Sequence, residues 1–172
     1  MSLYVEWLNL IKSKPTAEWL TDGQRSPYDR LVSDWLGAPF VNLVGPPGSG
    51  KSFIAHLLAR DHGYGYATEL EQVRQGTRDV VLDSAEYTRL MRPTAHFLSL
   101  GRVILATRRP VKDPMPRAEI RLGERDVRQF LHNLHVHCEI AFVLTEPAGT
   151  NFARIIQAEA VAKGEEHVDP GP

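Results

Sequence analysis

With 172 residues, the chain can bury about 70% of its unfolded surface in one core, so a single domain is expected. Hydrophobic residues make up 42% and charged residues 24%, an ordinary balance for a soluble globular protein, and the formal net charge of -1 excludes a generally polyanion-coating surface. Cys138 is the one cysteine, which excludes an internal disulfide and suits a reducing compartment; with no basic-then-apolar leader and no apolar run near the ~20 residues a bilayer needs, a cytoplasmic protein outside the membrane is expected.

Leu3, Trp7, Leu10 and Ile11 recur at helical spacing and predict a short helix packed on the rest of the domain or on a partner. Lys12 to Arg25, with Pro15, Gly23 and several polar residues, reads as an ordered connector. A second helix is expected from Ser26 as N-cap and Pro27 at the first helical position, through Leu31, Val32, Trp35 and Leu36, to a stop at Gly37, with Trp35 in the core. Residues 1–37 thus form an N-terminal helical segment of a domain expected to run from 1 to 164.

The apolar run Phe40 to Val44 predicts a buried strand. It leads through Gly45-Pro46-Pro47-Gly48-Ser49-Gly50-Lys51-Ser52 into Phe53 and a helix that reaches Arg60 or His62 and ends at Gly63. This Gly-x-x-x-x-Gly-Lys-Ser pattern has its required setting, a strand before and a helix after. Glycines let the backbone curl so that successive N–H groups and the helix N-terminus point at negative charge. Residues Gly45 to Phe53 are therefore read as a phosphate cradle, with Lys51 reaching the β- and γ-phosphates and the Ser52 hydroxyl a ligand of Mg²⁺.

Tyr64 to Thr68 reads as a short strand and Glu69 to Gln75 as a short helix closed by Gly76. Asp79-Val80-Val81-Leu82-Asp83 is a buried β-branched strand ending in a carboxylate; Glu86 to Leu100 contains helical stretches broken near Pro93 and stopped at Gly101. Arg102 to Thr107 is another buried strand, followed by Arg108-Arg109-Pro110 and a proline-rich loop from Val111 to Pro116. Ala118 to Leu122 predicts a short strand, Asp126 to His135 a helix with Val127, Phe130, Leu131 and Leu134 on one face, and Glu139 to Thr145 a further strand. Asn151 caps a helix from Phe152 to Ala162, and residues 165–172 form a polar, acidic, mobile tail.

Alternating strands and helices imply an α/β three-layer sandwich with a mainly parallel central sheet, preceded by N-terminal helices. Ligands in such sheets bind at the carboxyl ends of the strands. Three such ends carry candidate chemistry here: the loop after Val44, Asp83 after Leu82, and Thr107-Arg108-Arg109 after Ala106. Asp83 is placed to hold the Mg²⁺ bound by Ser52. Hydrolysis needs a group that orients the attacking water; the position after Asp83 is Ser84, so Glu86 is either that group or a surface residue starting a helix. Thr107 and Arg108 can sense a γ-phosphate.

Arg102, Arg108, Arg109, Lys112, Arg117, Arg121, Arg125 and Arg128 face Asp113, Glu119, Glu124 and Asp126 over the same stretch. A nucleic-acid patch or a finger for a neighbouring subunit is one reading; solvated faces are favoured, since no aromatic residue interleaves before Phe130. His132, His135, His137 and Cys138 are a dense set of ligand types, but zinc prefers two separated pairs, so a helix-to-strand junction is favoured.

The order Gly-Pro-Pro-Gly-Ser-Gly-Lys-Ser, Val-Val-Leu-Asp and Val-Ile-Leu-Ala-Thr-Arg-Arg-Pro, from Val41 onward, resembles the ASCE division of P-loop NTPases. Within it, the third motif looks like the sensor strand of STAND ATPases such as the NACHT and NB-ARC proteins, and the whole is similar to AAA+ nucleotide-binding domains. Glu119-Ile120-Arg121-Leu122 and the helix with Asp126 and Phe130 are similar to the elements that come next. The match covers roughly Val41 to Leu134, without an identifiable lid and with Ser84 where an acidic residue is expected beside the Walker B aspartate.

The resemblance implies the P-loop NTPase fold, ATP and Mg²⁺ as ligands, and an ATP-driven switch in a signalling or defence complex, with a protein partner or further copies of the chain. The altered position beside Asp83 implies weak or partner-stimulated hydrolysis. Absence of an Asn-Lys-x-Asp pattern favours ATP over GTP. Two other classes share the loop: a small-molecule kinase, which would form ADP only with an acceptor present, and an interaction module that keeps the fold without nucleotide.

Overall fold

In the computed structural model, which describes residues 3–13, 15–33, 38–84, 99–112, 114–141 and 149–166, three apolar runs of the sequence form the three central strands. They are β1 (Phe40–Val44), β3 (Val80–Leu82) and β4 (Val103–Thr107), flanked by the edge strands β2 (Gly65–Ala67) and β5 (Arg117–Glu119). All pairings are parallel, and the order across the sheet is β2-β3-β4-β1-β5. The strand expected at Tyr64–Thr68 is present, trimmed at both ends, whereas the one expected at Ala118–Leu122 begins earlier, at Arg117, and ends at Glu119, with Ile120 and Leu122 beyond it.

Both faces of the sheet are covered, which is why these strands read as continuous apolar runs. Successive residues of one strand still part company. Val41, Leu43, Val81, Ile104 and Ala106 join one core with Ile54, Leu57 and Leu58 of α3 (Lys51–His62) and Leu31 of α2 (Asp22–Val32). Val80, Leu82, Val103 and Leu105 pack on the opposite face against Leu70, Val73, Leu100 and Met115. The predicted short helix after β2 is a single 3₁₀ turn, Leu70–Gln72, and Gly76 follows at φ +85°.

The N-terminal segment differs from expectation in register. α2 begins at Asp22 with Thr21 as N-cap, so Ser26 and Pro27 lie inside the helix. The reason is hydrogen-bond supply at its first turn. Thr21 N–H donates to Gln24 Oε1 (3.1 Å), Asp22 N–H to Gln129 Oε1 (3.0 Å) and Gly23 N–H to Asp126 Oδ1 (2.6 Å). Three donors that a helix start leaves unpaired are met there by side chains, and Ser26 has nothing to match them. Trp35, Leu36 and the stop at Gly37 lie outside the described residues.

α1 (Leu3–Ser13) presents Tyr4, Trp7, Leu8 and Ile11, not Leu3 and Leu10, to Leu134, Ile140 and Ile156. These four positions form the tighter helical stripe, and Lys163 Nζ covers the Trp7 ring at 5.4 Å. The partners lie on or beside α4 (Glu124–Cys138) and α5 (Phe152–Glu166). α4 starts before and ends after the expected Asp126–His135. α5 starts at Phe152 as expected, with Asn151 Oδ1 accepting from Arg154 N–H (3.1 Å), and runs on to Glu166. The expected helical stretches of 86–98 and most of the strand at Glu139–Thr145 lie outside the described residues. Among the described residues, no helix is long and apolar enough to cross a membrane.

Asp126 ties the two helical groups together: Oδ1 accepts from Gly23 N–H (2.6 Å) and Oδ2 from Gly123 N–H (2.8 Å). Burial raises its pKa, but the amides of Gly123 and Gly23 and the Thr21 hydroxyl outweigh that and hold it below the ordinary carboxylate value. Asp126→Asn turns one acceptor into a donor facing an N–H, and urea unfolding is expected to show a loss of about 1.5–3 kcal/mol. A depressed carboxyl stabilises above its unfolded pKa and loses that contribution as pH falls through the folded value. The gap between wild type and Asp126→Asn should therefore be full at neutral pH and narrow in the acid range below roughly pH 4.

Candidate functional site

The loop after β1 is held from both sides. Gly48 and Gly50 adopt left-handed φ values of +72° and +87°. A Cβ on Gly48 would lie 1.8 Å from Asn151 Oδ1, and one on Gly50 2.1 Å from Gln24 Nε2. From α2, Gln24 Nε2 donates to Ser49 O (2.8 Å); from the start of α5, Phe152 N–H donates to Gly48 O (3.0 Å). Two of the loop's carbonyls are thereby engaged by these donors, while Gly45 N–H donates to Thr107 O (3.2 Å) and Ser49 N–H to Pro46 O (3.2 Å). Lys51 Nζ arches over the loop and donates to Gly45 O (2.7 Å) and Pro46 O (2.9 Å). Ser49 is fully buried and its hydroxyl, which faces back on Gly45, has no partner among the described residues. Pro46 and Pro47 are on the exposed outer side.

A cavity of about 320 Å³ opens beside the loop. Gly48, Gly50, Lys51, Ser52 and Phe53 form its floor, and Tyr4 and Lys12 of α1, Trp19, Phe130 and Phe152 wall it. The volume falls in the usual range for small-ligand sites, roughly 300–1,000 Å³. Its chemistry has two parts. Phe53 stacks on Trp19 (6.1 Å between centroids, 8° between planes), which stacks in turn on His137 (5.4 Å, 23°), and Phe130 stacks on Phe152 (4.0 Å, 6°). Lys12 and Lys51 supply the charge, and among the described residues no carboxylate lines the cavity. A flat apolar ring bearing anionic groups suits such a wall.

Asp83 follows β3, buried to 5% exposure. Its Oδ2 accepts from Tyr66 Oη–H (2.9 Å) and its Oδ1 from Ser84 N–H (3.0 Å), with Ser84 in the left-handed region at φ +59°. The His56 ring, on α3, stacks on Tyr66 (4.4 Å, 20°). Burial, with Asp83 and its hydrogen bond adding to it, pushes the Tyr66 phenol above its ordinary pKa, so it stays a donor. Burial first and the Lys12 charge second lower the His56 pKa, against the pull of Asp83.

Thr107 pairs with Val44 in the sheet and passes its carbonyl to Gly45 N–H (3.2 Å). Its hydroxyl donates to Arg109 O (2.6 Å) and accepts from Asn42 Nδ2 (2.9 Å), while Asn42 Oδ1 accepts from Val111 N–H (3.0 Å). Buried Asn42 thus braces the turn that carries exposed Arg108 and Arg109. Glu86 lies outside the described residues.

The other cations of the basic stretch are largely spoken for. Arg102 Nη1 donates to Leu31 O and Tyr64 Oη, and Arg121, Arg125 and Arg128 pair with Glu119, Asp22 and Glu124. His132 and His135 are exposed, and among the described residues no group of three or more His, Cys, Asp or Glu side chains could hold a metal.

Five functional positions were not singled out from sequence: Trp19, Gln24, Asn42, His56 and Tyr66. Gln24 had a signal, the Thr21-x-x-Gln24 capping pattern, and Asn42 another, a polar side chain inside an apolar strand. The other three depend on contacts across the fold.

No family model and no curated protein sequence matches the chain. Among solved structures, the chain is similar to AMPPCP-bound DnaA from Aquifex aeolicus, with a TM-score of 0.56 at 15% identity, over 88% of this chain and 70% of that chain. At that identity the likeness is one of fold. It agrees with the parallel sheet, the loop between β1 and α3 and the preceding helices: the chain has the P-loop NTPase fold.

Gly48→Ala meets two obstacles, a left-handed backbone costing about 1–2 kcal/mol and the Asn151 side chain. Chemical unfolding should show a loss of at least that size, and Asn151→Ala should lessen the cost of Gly48→Ala, leaving the backbone part.

Proposed function

We propose that the protein is an ATP-binding switch with Mg²⁺-dependent hydrolysis that is slow or stimulated by a partner. The observation that carries this reading is the left-handed glycine loop, braced by Gln24 and Phe152, beneath a cavity with an aromatic wall and only cationic charges. The neighbour in fold is described as bound to AMPPCP, an ATP analogue, which supports the same ligand class.

Loop amides and the N-terminus of α3 would hold the phosphates, and Lys51 would exchange its bonds to Gly45 O and Pro46 O for phosphate oxygens. A purine fits against Trp19, Phe53 and Phe152. The cradle that a Cβ would fill, with the Ser52 hydroxyl at the start of α3 and the Asp83 carboxylate after β3 as oxygen donors, has the chemistry for a Mg²⁺-bound polyphosphate. Mg²⁺, when bound, neutralises charge on the phosphates. Thr107 and Arg108 report the γ-phosphate, Thr107 by fixing the turn that presents Arg108. Glu86 positions water in the absence of an acidic residue at Ser84, and turnover is slow. Nucleotide state then alters contacts with a protein partner or further copies of the chain, the behaviour of a STAND-like signalling component in the cytoplasm.

Calorimetry in Mg²⁺ is expected to show ATP binding by wild type and at least about 10–100-fold weaker binding by folded Lys51→Ala, the worth of charge-assisted bonds to phosphate. Wild type that binds neither ATP nor GTP contradicts the reading. Glu86→Gln should bind ATP normally and turn it over more slowly; equal rates remove Glu86 from the mechanism.

A further inference from the structure

We propose that Tyr66 and His56 are positioning residues that fix the Asp83 carboxylate relative to α3, the helix that carries Ser52, and so set the divalent-metal half of the site. This inference rests on the Mg²⁺–nucleotide reading above.

The sheet order creates the need. β4 lies between β1 and β3, so no ladder of hydrogen bonds joins the Asp83 strand directly to the strand that launches the glycine loop. Packing of α3 on the Val81 face brings the two elements together, and orienting the ligating carboxylate within that contact calls for a side-chain brace. Parity of the strands supplies it. Val81 belongs to the core facing α3, and Asp83, two residues on, projects to the same face. Tyr66 stands opposite Val81 in the β2–β3 pairing and shares that face. His56 is four residues beyond Ser52, so the two occupy one side of α3. The chain of contacts runs from Ser52 down one turn to His56, across the ring stack at 4.4 Å to Tyr66, and through the 2.9 Å hydrogen bond to Asp83 Oδ2.

On its other oxygen the carboxylate is held by Ser84 N–H, made available by the left-handed turn at Ser84. Both rotations of Asp83 are thereby fixed. An ionised carboxylate accepts at about four lone-pair sites, so two hydrogen bonds leave acceptor capacity for a cation or its water.

Removing such a supporting partner typically costs 10–100-fold in metal affinity, about that range being expected here. Tyr66→Phe deletes the hydroxyl and keeps the ring stacked on His56, and a thermal unfolding midpoint close to wild type is expected. ATP affinity should be measured by calorimetry with Mg²⁺ titrated in and with EDTA present. The expected result is an apparent Mg²⁺ affinity at least roughly 10-fold weaker in Tyr66→Phe, with Mg²⁺-free ATP affinity unchanged. His56→Ala should move the same way, and His56→Phe, which preserves a stacked ring, should recover most of the loss. Unchanged Mg²⁺ dependence in Tyr66→Phe, or an equal loss with EDTA, overturns the positioning role while leaving the nucleotide site intact. Wild type without ATP binding in either condition overturns both.

Discussion

Between Val44 and Lys51 the backbone must turn from a strand into a helix within a few residues. Left-handed residues at Gly48 and Gly50 make that path possible, and two long-range hydrogen bonds keep it there: Gln24 to Ser49 O and Phe152 N–H to Gly48 O. Side chains other than glycine are shut out twice, by φ and by the neighbours themselves. The elements that brace the loop come from α2 and α5, far apart in sequence, so folding of the flanking helices and shape of the loop are one problem.

The same coupling recurs through Asp126. Its carboxylate joins the first turn of α2 to the start of α4, and Gln24 in that first turn is the residue that reaches the loop. The packed helices α1, α4 and α5 meanwhile supply the aromatic and aliphatic wall of the cavity. A ligand that fills it therefore touches the N-terminal segment, the central sheet's loop and the C-terminal helix together. Such a site can convert occupancy into a change in how those parts hold one another, the requirement for a switch.

The loop, its strand and its helix were legible in the sequence because all their determinants are local: glycine spacing, an apolar run, and Gly63 to end α3. The carboxylate at Asp83 and the hydroxyl at Thr107 were legible for the same reason, as polar residues ending apolar strands. Competition among starts hid the true beginning of α2. Ser26-Pro27 is a good local cap, yet Thr21 wins because Gln129 and Asp126, about a hundred residues away, meet its first-turn amides. The stripe on α1 was half legible: Trp7 and Ile11 were expected inward, but Tyr4 and Leu8 replace Leu3 and Leu10 because the partner surface selects one of two overlapping stripes. Tyr66 and His56 carry no local signature, since their meaning lies in a strand register and a helix face that only the fold brings together.

In the proposed function the braced glycine loop serves as a polyphosphate cradle. Thermal unfolding of the wild-type chain in Mg²⁺, with ATP, ADP or AMP, tests it most directly. A ligand at about 100 times its Kd stabilises by roughly 2.7 kcal/mol, which in a domain of this size raises the midpoint by roughly 5–10 °C. Such a rise is expected with ATP and ADP, and little with AMP. No rise with any of them, or an equal rise with AMP, would contradict that role.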